Sequence, residues 1–168
     1  MTHTFDATWA VLLSALLIWC AWTDLAHRRI ANVTVALIAG LYPVALATGL
    51  LQGSALIGLA CAGTVFALGL AGFALGAIGG GDVKLAAALG LWAGSTDLVG
   101  FVMVTALTGA VLSVLILATR NVPFAHYLSA PIKADPQTGG RAATGESVPY
   151  GVALAAGGLW IAYGLIAV

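Results

Sequence analysis

Charge is what this sequence has least of. Six Lys and Arg and six Asp and Glu are spread over 168 residues, 7% charged against 61% hydrophobic, with a formal net charge of zero. A soluble domain carries roughly a quarter of its residues as charges. The mean hydropathy of +1.07 therefore points to lipid as the main solvent. With no basic or acidic block, the electrostatic footprint that nucleic-acid binding needs is missing. Cysteine is also scarce. Cys20 and Cys61 stand alone in apolar runs, without CxxC spacing or a neighbouring His, which argues against a structural zinc site or a disulfide framework. His3, His27 and His126 are scattered, no HExxH occurs, and no serine lies in a GxSxG context, so metalloprotease and serine-hydrolase chemistry find no anchor.

What the chain does have is apolar runs, at about Ala7 to Trp22, Val33 to Leu51, Ala55 to Ile78, Leu85 to Gly94, Leu98 to Thr119 and Pro149 to Val168. A hydrocarbon core about 30 Å thick takes about 20 helical residues, so the pattern predicts an all-α bundle of about six transmembrane helices. The first run has no Lys or Arg before it and Arg28-Arg29 after it, the reverse of a secretory signal's charge order, and is read as a retained span. The fourth run covers only about half of the core. Either its helix starts upstream of Asp82, or the Gly79-Gly80-Gly81-Asp82 segment dips below the membrane surface. The chain reads as a single domain over 1–168 with a polar cytoplasmic loop at about 120–148.

Lys and Arg concentrate in short cytoplasmic loops. With both termini outside, Arg28, Arg29, Lys84, Arg120, Lys133 and Arg141 all fall in inside segments, while the outside segments hold Asp6, Gln52 and Asp97. Asp24 and Asp82 then share the cytoplasmic side. Glycines recur every fourth residue at Gly72, Gly76 and Gly80, and again at Gly90 and Gly94, a spacing that lets helices approach closely in lipid.

An ionisable group at the membrane asks for a reason. Asp24 follows Trp22-Thr23 and has Arg28 at helical spacing, which would suffice for an interfacial ion pair. Asp82, followed by Val83-Lys84-Leu85, would suit the N-cap of the fourth helix. Neither role explains three consecutive glycines before Asp82, which let the backbone come close to a substrate. Two carboxyl groups that converge cannot both ionise easily and share a proton. One as carboxylate can then take a proton from water while the other, as acid, polarises a carbonyl. That chemistry calls for no metal and no other cofactor.

The string Asp24-(x)5-Ile30-x-Asn32, then Gly79-x-Gly81-Asp82-x-Lys84-Leu85, Ala87-Ala88-Leu89-Gly90 and Pro149-Tyr150-Gly151 resembles the type IV prepilin peptidase family of GxGD aspartyl proteases along essentially the whole chain. The resemblance implies a bacterial inner-membrane endopeptidase with a prepilin-like substrate, cleaved on the cytoplasmic side. It implies Asp24 and Asp82 as catalytic residues, and Gly79, Gly80, Gly81, Lys84, Arg28 and Asn32 as surrounding motif or substrate-positioning residues. Ala31 stands where the family often has proline. The insertion with paired CxxC motifs that marks the large, methylating branch is missing, so the chain resembles the minimal branch tied to tight-adherence (Flp) pili. Other readings of the same residues are an archaeal preflagellin peptidase, a proton-coupled transporter or channel, and a non-catalytic pilus-assembly subunit.

Overall fold

The computed structural model describes residues 2–49, 54–119 and 149–167. They form five helices: α1 (Thr2–His27), α2 (Asn32–Ala47), α3 (Ala55–Ala74), α4 (Gly80–Thr119) and α5 (Tyr150–Ala167). No strand occurs among the described residues. The segment expected to be a loop at about 120–148 lies outside them.

On α1 the buried positions are Ala10, Leu13, Leu17, Cys20 and Asp24, spaced three and four residues apart as one face of a helix requires. Asp24 thus continues the apolar stripe by one turn and points inward. The opposite face exposes Val11, Leu12, Ile18, Trp19, Trp22 and Leu25. Such a surface is unfavourable in water and suits acyl chains, since in lipid the exterior must be apolar and the backbone must satisfy itself. α3 is more extreme, with Gly58 its one buried residue.

Against the expected count of about six transmembrane helices, the described residues form five helical elements, of which α4 is broken by the non-helical Gly94. Three of them are long and apolar enough to cross a membrane, over Ala7–His27, Ala55–Ala74 and Gly80–Ile116, while α2 and α5 are shorter. The fourth and fifth apolar runs belong to one element because the helix resumes at once through Ser95-Thr96-Asp97, with no loop between. It is not straight. Gly94 has φ 52° and ψ −153°, and Asp82 and Ala86 line the same cavity as Gly109 and Ser113. In a straight helix Ala86 and Gly109 would stand about 35 Å apart, so the chain doubles back at Gly94.

The first half of α4 is the centre of the bundle, with Val83, Leu85, Ala88, Leu89, Trp92 and Ala93 buried. α3 lies antiparallel to it, with Gly69 against Val83 and Gly90 against Val65. α2 runs parallel to it: Lys84 meets Asn32, and about two turns further on Trp92 Nε1 donates to the Ile38 carbonyl at 2.8 Å. α5 is antiparallel to α1, with Gly151 at Asp24 and Gly158 at Leu17. It is also antiparallel to the second half of α4, where Gly157 meets Phe101 and Gly109 meets Ala153. These directions bring the end of α1 and the starts of α2, α4 and α5 to one end of the bundle. The fourth helix starts upstream of Asp82, the first of the two arrangements its short apolar run allowed.

No atom lies within 4 Å of a Cβ built on Gly94, so its backbone angles alone demand glycine. Gly94→Ala is expected to cost about 1–3 kcal/mol, read as a lower unfolding midpoint in detergent. Gly40→Ala, equally open but with no positive φ, is expected to leave the midpoint unchanged or raised.

Candidate active site

α1 ends just beyond Asp24. Arg28 adopts φ 51° and donates its N–H to the Asp24 carbonyl at 2.9 Å, a left-handed helix stop of the kind glycine or asparagine usually supplies. The chain then crosses the start of α4, where a Cβ on Gly81 would lie 3.4 Å from that of Ile30. Ala31 precedes α2 with φ −68° and ψ 127°, the φ a proline ring would impose, so the turn keeps that shape without the ring. Asn32 opens α2, and its Oδ1 accepts a hydrogen bond from Lys84 Nζ at 3.1 Å. This contact ties the segment after Asp24 to the helix that carries Asp82.

Asp82 is not the N-cap of α4. The helix begins at Gly80, and the first helical bond runs from the Val83 N–H to the Gly79 carbonyl at 3.1 Å, which makes Gly79 the cap residue and Asp82 the third residue of the helix. From there its carboxyl reaches back to the Gly79 N–H, the half of a capping box that an acidic third residue provides. The fit leaves no room at Gly79, where a Cβ would stand 2.8 Å from Asp82 Oδ2.

Asp24 is 6% exposed. Its Oδ2 accepts the Gly151 N–H at 2.9 Å, and the Val152 N–H also donates to its carboxyl. Buried charge is tolerated only where it is paired or hydrogen-bonded. Here the donors are N–H groups of a helix's first turn, at the positive end of the α5 dipole. Arg28 is within electrostatic reach of Asp24, and so is Asp82.

Beside Asp82 opens a cavity of about 360 Å³. Its wall includes small residues, Gly69, Ala86, Ala106 and Gly109, together with the hydroxyl-bearing Thr105, Ser113 and Tyr150. The Ser113 hydroxyl donates to the Gly109 carbonyl at 2.8 Å, whereas Thr105 Oγ1 is buried without a hydrogen-bond partner. Among the described residues no three His, Cys, Asp or Glu side chains gather as a metal would require.

The structure therefore brings Asp24, Asp82, Gly79, Gly81, Asn32 and Lys84 to one end of the bundle, with Arg28 beside Asp24. Gly80 faces away from the pair, towards the Phe73 ring. Gly151 and Val152, the donors to Asp24, were not among the expected site residues. Their signal in the sequence was Pro149 directly before an apolar run, since proline followed by a helix announces free N–H groups. The cavity wall from Thr105 to Ser113 had no such signal.

Apolar helices exposing large hydrophobic side chains, with two carboxyl groups set at helix ends on one side, define an integral membrane protein with a candidate acid–base centre. The family model for the type IV leader peptidase family matches residues 11–114. The chain belongs to that family, and so to a family of peptidases, and the match includes Asp24 and Asp82. No curated protein and no solved structure matches the chain.

Because Asp24 caps α5, Asp24→Ala is expected to lower stability by about 1 kcal/mol, whereas Asp24→Asn, which keeps an acceptor oxygen, is expected to lose less. Thermal unfolding of both variants in detergent checks this order.

Proposed function

We propose that this protein is an aspartyl endopeptidase that removes the basic leader from a prepilin-like membrane protein. The observation that carries this reading is the meeting of Asp24 and Asp82. They come from separate helices to one end of the bundle, close enough to interact, and each is held by backbone N–H groups.

The reaction is hydrolysis of one peptide bond. The ionised aspartate takes a proton from a water molecule as its oxygen attacks the scissile carbonyl carbon. The protonated aspartate donates a hydrogen bond to the carbonyl oxygen, where negative charge develops. Collapse of the tetrahedral intermediate breaks the C–N bond, and the departing nitrogen is protonated from the pair. Peptide bonds inside a helix resist attack, so the cleavage region must be extended. At Gly79, next to the Asp82 carboxyl, the backbone lacks a side chain that would hold an extended strand away from it. Gly79, Gly81 and the Asn32–Lys84 bridge shape the surroundings of the pair, and Arg28 supplies a positive charge beside it.

The aspartates share their end of the bundle with Arg28, Arg29 and Lys84, whereas Asp97 lies beside Gly164 towards the far end of α5. By the excess of Lys and Arg in cytoplasmic segments, that supports a cytoplasmic active site in a bacterial inner membrane, with both termini outside. The reversal at Gly94 supports six crossings, counting the two halves of α4 separately. The lack of paired CxxC motifs favours the minimal, tight-adherence (Flp) pilus branch.

Co-expression with a candidate Flp prepilin, with pilin size read by mass spectrometry, tests the assignment. Wild type is expected to yield mature pilin. Asp24→Asn and Asp82→Asn are expected to leave the precursor uncut while still inserting in the membrane, and full processing by both variants would end the proposal. Cleavage by the purified enzyme is expected to be unchanged by EDTA, and an EDTA-sensitive activity restored by zinc would rule out the two-aspartate mechanism.

A further inference from the structure

The first turn of α5 takes a part that the two aspartate motifs do not require. Pro149, at the cap position, has no side-chain acceptor for the N–H groups of the first turn; its carbonyl takes the Val152 N–H at 3.2 Å, which leaves the Gly151 N–H to be satisfied from outside the helix. Both donate to the carboxyl of Asp24. A side chain from α1 thus caps α5 across 127 positions of sequence. The approach is as close as the backbone allows: a Cβ at Gly151 would lie 2.8 Å from Asp24 Cγ and 2.9 Å from its Cβ. The Cβ is fixed by α1 and cannot swing aside. Two turns further along, a Cβ at Gly158 would be as crowded, but against the terminal methyl groups of Leu17 and Leu89, which can rotate away.

We infer that the start of α5 is part of the active-site apparatus: its N–H groups seat the carboxyl group of Asp24, and Gly151 is the positioning residue that makes room for it. Donated hydrogen bonds and the positive end of a helix both favour an ionised carboxyl group. The other titratable or charged groups acting at Asp24 are Cys20 on its own helix, Arg28 beyond its end and Asp82 on α4. The inference rests on the reading of Asp24 and Asp82 as the catalytic pair.

The test is steady-state cleavage of a purified prepilin, carrying its leader and hydrophobic helix, by the full-length protein in detergent. Gly151→Ala is expected to lower kcat about 100-fold, the cost of displacing a reacting group by about 1 Å, with KM unchanged. The acid limb of its pH–rate profile is expected to move to higher pH, because a carboxylate that loses donors takes up its proton sooner. Gly158→Ala, on the same helix and equally crowded, is expected to keep kcat near wild type. Should Gly151→Ala fail to fold, Val152→Pro removes one donor at a first-turn position where proline is tolerated, and is expected to lower kcat and move the acid limb in the same direction. Wild-type kcat in Gly151→Ala, a loss confined to KM, equal losses in the two alanine variants, or an unmoved acid limb would each overturn the inference. Cleavage that needs Asp82 but ignores Gly151 defeats this inference alone, whereas cleavage by Asp82→Asn defeats the peptidase reading beneath it.

Discussion

A carboxyl group buried in an apolar bundle needs donors, and the bond from the Gly151 N–H to Asp24 is the one on which the rest of this arrangement depends. It satisfies two needs at once. The first turn of α5 has N–H groups its own helix cannot use, and Asp24, continuing the apolar stripe of α1, has an inward charge that needs partners. Joining them fixes the end of α1 to the start of α5. Because α5 packs along both α1 and the second half of α4, that contact also sets where the cavity wall stands relative to Asp82.

The second aspartate is held by a local version of the same device. Asp82 reaches back to the N–H of Gly79 within its own helix start, whereas Asp24 is held by a helix distant in sequence. Each position carries a glycine where a Cβ would collide with the carboxyl group, Gly79 for Asp82 and Gly151 for Asp24. Close backbone approach to an acidic side chain is thus the repeated feature of the site. The surrounding bundle makes it possible, since small residues let helices pack closely in lipid while large apolar side chains face outward.

Much of this was legible from residues alone. The all-α, lipid-facing character follows from apolar runs and scarce charge, and the importance of the glycine-flanked Asp82 follows from the incompatibility of charge with a membrane interior. The family was legible because its motif residues keep fixed order and local spacing. Less legible was the boundary between the fourth and fifth apolar runs. Ser95-Thr96-Asp97 is polar enough to read as a loop, yet it is helical and opens the second half of α4. The reversal falls on Gly94 alone, because one residue in a conformation open only to glycine can turn the chain without a connecting segment. Asp82 likewise fits an N-cap by type, and only the position of the Gly79 carbonyl showed that the cap lies three residues earlier.

The sequence by itself determined the solvent of this protein, its helices, and the two acidic residues that stand out from an apolar background, because each of these follows from side-chain chemistry within a few residues of the chain. The tertiary structure alone decided that Asp24 meets α5, that Lys84 meets Asn32, and that the halves of α4 enclose a cavity beside Asp82. Those contacts join positions tens of residues apart, and their pairing depends on the direction in which each helix runs and which face it turns inward. No local pattern encodes those quantities. They are settled when the helices pack and each buried polar group must find its donor.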